Sequence, residues 1–107
     1  LLAEAAACAE RAGVEPEVFT DILATGGGGG VVLGRLRPYI ESRDTSSFKF
    51  SIANANKDMG YYAAMAEEAG AARETAMGVL HTYRQACEAG LEQASVPEII
   101  DLMVKQP

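Results

Sequence analysis

An ammonium group set among two aromatic rings and an amide is the grouping in this chain best suited to holding an anion. Phe50, Asn54, Lys57 and Tyr61 recur at i, i+4, i+7 and i+11, a spacing that stacks them on one side of an α-helix. Lys57, with Asp58 beside it, would offer a point charge to a phosphate or a carboxylate. The opposite stripe, Ile52, Ala55, Met59, Ala63 and Ala66, reads as an ordinary core face. The same spacing suits a solvated lysine whose stem covers the rings. Spacing alone leaves both readings open.

The second feature is a run of five glycines, Gly26, Gly27, Gly28, Gly29 and Gly30. Gly29 and Gly34 have the separation of a phosphate-binding loop, but Arg35 and Leu36 follow where Lys and Ser or Thr are required. No register gives GxGxxG, and no predicted strand feeds the run. The expectation is a mobile interhelix loop, which is compatible with lining a ligand cleft. His81, the one histidine, falls on the polar side of its helix near Arg84 and reads as a surface residue. No GxSxG elbow and no zinc or calcium pattern is found, so neither a serine nucleophile of that kind nor a metal site is expected.

The elements that must position these residues are helices. Leu1 to Ala12 reads as a helix stopped by Gly13, and a second starts at Pro16 and ends at Thr25. Its pairs Val18/Phe19 and Ile22/Leu23 mark the expected inner face. From Val31 to about Ser42 a short, irregular helix is expected, broken near Pro38. The polar turn Asp44 to Ser47 then leads into the longest helix, Phe48 to Ala69, with Ser47 as its N-cap and Gly70 as its stop. The next, about Ala72 to Ala89, carries a stripe of Ala76, Val79, Leu80, Tyr83, Ala86 and Cys87 and stops at Gly90. Ser95 to Glu98 reads as a capping box opening a last helix that turns Ile99, Leu102 and Met103 inward. No segment alternates with period two. The expected fold is all-α, a bundle of five or six helices in a single domain, residues 1–107.

Composition agrees with that fold. Half the residues are apolar and few are aromatic, so alanine makes up much of the rest and favours close-packed helices. Nine basic against fifteen acidic side chains leave a net charge of −6, which argues against a nucleic-acid partner. Cys8 and Cys87 form no CxxC and are expected to be buried, reduced thiols. The Leu-Leu start, interrupted by Glu4, is neither a signal peptide nor a membrane span. A cytoplasmic location is expected. Beginning in mid-helix without a cap, the chain reads as a fragment.

The run Phe50-x6-Lys57-Asp58-x4-Ala63 resembles the "F…KD…A" signature in the helical domain of the 3-hydroxyisobutyrate dehydrogenase (β-hydroxyacid dehydrogenase) family. The flanks resemble the family in the same order. Leu2 to Val14 is similar to its "AEAL…AxxxGld" helix, Pro38 and the turn before Phe48 to the lead-in, and Tyr83-x2-Ala86-x3-Gly90 to the close of its penultimate helix. The resemblance covers essentially the whole chain. It implies a fold like the 6-phosphogluconate dehydrogenase C-terminal domain, and a missing N-terminal Rossmann domain as partner. It also implies NAD or NADP as cofactor of the intact two-domain enzyme, a small β-hydroxyacid substrate and a homodimer.

On the same resemblance, Lys57 reaches the cofactor, Phe50 and Asp58 adjoin it, and the glycine run borders the cleft. The family's catalytic Lys, with its neighbouring Asn, falls upstream of Leu1. The isolated chain is therefore not expected to turn over. Glu74 stands where many members have Pro, Ala94 stands where Asp is common, and five glycines replace a more varied loop. A free-standing helical protein-interaction module that kept the fold without the chemistry is the alternative.

Overall fold

The structure, a computed structural model, describes residues 1–106. Six α-helices and one 3-10 turn make up its regular structure: α1 (Leu2–Arg11), α2 (Pro16–Thr25), α3 (Val31–Ser42), α4 (Ile52–Ala69), α5 (Glu74–Glu88), the turn Val96–Glu98, and α6 (Ile99–Lys105). No strand forms among the described residues, where a lone antiparallel bridge joins Ser51 to Ser95. The all-α expectation holds. Gly13, Gly70 and Gly90, read as helix stops, all take positive φ, a backbone conformation costly for any residue with a Cβ.

The chain divides into two compact units. The first comprises Leu1–Lys49 and Pro97–Pro107 and contains α1, α2, α3 and α6. Its core is Ala6 and Ala7 of α1, Leu36, Tyr39 and Ile40 of α3, and Ile100 of α6, with Phe19, Phe48 and Met103 packed at the edge. The inner face of α2 is narrower than its sequence pairs suggest. Phe19 and Leu23 are partly buried, whereas Val18 and Ile22 are exposed, because the helix turns Thr20 inward instead.

Thr20 is fully buried, which requires a partner for its hydroxyl. It donates to Glu41 Oε1 of α3 at 2.6 Å. Arg37 bridges the same carboxylate at 2.8 Å and Asp21 of α2 at 2.5 Å. The Thr20 hydrogen bond, then the Arg37 guanidinium, hold the Glu41 carboxyl below the usual carboxylate range. A second network ties α3 to α1 and α6. Tyr39 donates its phenol to Asp101, and burial together with that bond pushes the phenol above its ordinary range. Arg43 reaches Glu10 at 2.6 Å and Asp101 at 3.1 Å, and lies over the Tyr39 ring at 5.2 Å. These contacts hold Arg43 at φ 58°, an uncommon conformation for a non-glycine residue, and so close α3.

The break expected near Pro38 does not occur, and α3 runs unbroken through it. Pro38 removes the backbone bond to Gly34, which is exposed, so water can satisfy the freed carbonyl. Leu36, Tyr39 and Ile40 anchor the helix on both sides of the proline. Packing there outweighs the missing bond.

The second unit, Phe50–Val96, is a helical hairpin of α4 and α5. Its ends meet. Val96 N–H donates to Phe50 O at 2.8 Å, Ile52 N–H to Ala94 O at 2.9 Å and Ala53 N–H to Glu92 O at 2.9 Å. The expected start of the long helix at Phe48, with Ser47 as its cap, is corrected here. Ser51, in extended conformation, accepts from Asn54 N–H at 3.1 Å and is the true N-cap. Residues 48–50 stay outside because Phe50 and Ser51 are taken up in pairing with Ser95 and Val96. The inner stripe of α4 is as read: Ile52, Ala55, Ala63 and Ala66 are buried and Met59 is half-buried. On α5, Ala76, Leu80 and Ala86 are buried, with Val79, Tyr83 and Cys87 at the margin.

Candidate functional site

The alanine stripe fixes which side of α4 is left open. Once Ile52, Ala55, Ala63 and Ala66 turn inward, the helical period carries Asn54, Lys57, Asp58, Tyr61, Met65 and Glu68 to the other side, and all six are exposed. Tyr61 is 68% exposed and Met65 60%, high values for large apolar side chains on a helix. The result is an open surface with one ammonium, two carboxylates, an amide, a phenol ring and a thioether. Met65 extends the grouping read from the sequence by one turn, and its spacing of eight residues from Lys57 could have shown it.

Lys57 is not consumed by its neighbour. Its Nζ lies 3.9 Å from Asp58 Oδ1, an ion-pair separation beyond hydrogen-bonding distance, and both side chains are more than half exposed. The ammonium therefore keeps its donors available for an anion. Asp58 lowers the local positive field without capping it.

Phe50 is not on this helix face. It sits two residues before α4 in the paired segment, 37% exposed, with its carbonyl held by Val96 N–H. The sequence reading placed it by helical spacing, but the pairing that ends the helix early is a contact with residues more than forty positions away. Asn54, Lys57 and Tyr61 are brought together as read.

The glycine run belongs to the first unit, between α2 and α3, and is a defined turn. Gly29 N–H donates to Gly26 O at 3.3 Å. A Cβ on Gly29 would lie 2.9 Å from the Ala24 carbonyl oxygen, and Gly30 takes φ 153° where it caps α3. Glycine is required at both, for close approach and for backbone conformation. Gly27, by contrast, is open on all sides.

His81 is exposed, as read. Both cysteines are free thiols, but Cys8 is exposed where burial was expected, because α1 turns Ala6 and Ala7 inward. Among the described residues, no three His, Cys, Asp or Glu side chains converge to hold a metal ion. No helix among them is long and apolar enough to cross a membrane.

The fit to a dinucleotide is partial. The α4 face offers an available ammonium and a ring one turn away, which suits one charged and one flat part of such a molecule. The glycine turn closes on its own carbonyls and lacks the Lys of a phosphate loop. Among the described residues, the ammonium and ring lie on the α4 face, and the glycine run forms no phosphate-loop motif.

A family model described as NAD-binding of NADP-dependent 3-hydroxyisobutyrate dehydrogenase matches residues 1–103. No curated protein and no solved structure gives a match.

Proposed function

The chain belongs to the NAD-binding domain family of NADP-dependent 3-hydroxyisobutyrate dehydrogenase, and on that premise we propose that it is the C-terminal helical domain of a dehydrogenase acting on a small β-hydroxyacid. In this reading it closes the cofactor cleft against an N-terminal Rossmann domain. The observation that carries the proposal is the ammonium of Lys57 on the open face of α4, whose other face is buried. Lys57 supplies a positive point charge to the dinucleotide, Asp58 and Tyr61 flank it, and Phe50 adjoins from the paired segment at the helix start. The bound nicotinamide would take or give the hydride. Lys57 acts by electrostatic complementarity and moves no proton. The reading includes a cytoplasmic homodimer, supported by exposed apolar side chains in both units, Val31, Val32 and Met77 among them.

The test is the two-domain protein with Lys57→Ala and Lys57→Arg. Titration of NADPH fluorescence should show about tenfold weaker binding for the alanine variant, the equivalent of ~1.4 kcal/mol, with partial recovery for arginine. Unchanged cofactor binding would remove Lys57 from the site. A native protein without a GxGxxG-bearing partner domain would replace the enzyme reading with an interaction module. Sedimentation showing a monomer at every concentration would remove the dimer alone.

A further inference from the structure

We draw no further inference here: the strongest candidate, the exposed aliphatic pair Val18 and Ile22 on the side of α2 opposite the buried Thr20, is an unpartnered apolar face, and nothing in the structure shows what covers it.

Discussion

The two units bury apolar groups by different means. Among the described residues of the unit of Leu1–Lys49 and Pro97–Pro107, two of the nine buried apolar residues are alanine, Ala6 and Ala7; the rest are Leu33, Leu36, Tyr39, Ile40, Pro97, Ile99 and Ile100. In the hairpin Phe50–Val96, five of eight are alanine, namely Ala55, Ala63, Ala66, Ala76 and Ala86. The first therefore gains stability from large side chains removed from water, the second from close approach of two helices. Polar tethers divide the same way. The first unit has Thr20–Glu41–Arg37–Asp21 and Glu10–Arg43–Asp101–Tyr39. In the hairpin, the ion pairs are Lys57–Asp58 at 3.9 Å and Arg73–Glu67 at 3.1 Å, both near the surface. The lesson is a division of labour between a unit fixed by interlocking side chains and a hairpin that needs little volume inside and leaves one helix face open.

That contrast can be broken most severely at its large residues. Ile100→Ala, at a side chain 1% exposed, should cost about 2–5 kcal/mol in urea or thermal unfolding through lost burial and the cavity left behind. The hairpin should fail in the opposite sense. Ala86 is fully buried, so Ala86→Leu should cost about 1–3 kcal/mol by overpacking. If Ala86→Leu were neutral, the close-packed account of the hairpin would be wrong.

The polar tether gives a smaller, pH-dependent signature. Thr20→Val removes the hydroxyl bond to Glu41 and should cost about 1.5–3 kcal/mol at neutral pH, as for a hydrogen bond to a charged group. Because the folded state lowers the Glu41 carboxyl, its contribution is present above the ordinary carboxylate range and is lost as pH falls through the lowered value. The acid limb of the stability curve should therefore flatten in Thr20→Val, a change that pH-resolved denaturation would detect. Near the same size is the glycine turn. Gly30→Ala should destabilise by about 1–3 kcal/mol through its φ of 153°, while Gly27→Ala stays within about 0.5 kcal/mol. Equal effects at the two glycines would show the turn to be looser than its geometry.

The smallest effect on folding belongs to the open face. Lys57→Ala should change stability by no more than about 0.5 kcal/mol, since the side chain is more than half exposed and weakly paired. A large loss of stability would mean that Lys57 holds the hairpin together.

Much of this molecule was legible in its residues. Pro16 and Thr25 bound α2 as read, Gly13, Gly70 and Gly90 stop helices through positive φ, and the alanine stripe of α4 points inward. These are consequences of local conformational preference and helical period, which the chain carries without reference to its neighbours. Lys57, Asp58 and Tyr61 share an open face for the same reason. What only the tertiary structure decided were matters of competition between distant partners. Phe50 left the helix because residues 50–53 pair with residues 92–96, and α3 passed through Pro38 because its flanking side chains are held in the core. Thr20, not Val18 or Ile22, turned inward because Glu41 and Arg37 wait for it on another helix. Periodicity can propose a face, but the energy of contacts far apart in sequence selects which face is buried and where a helix begins.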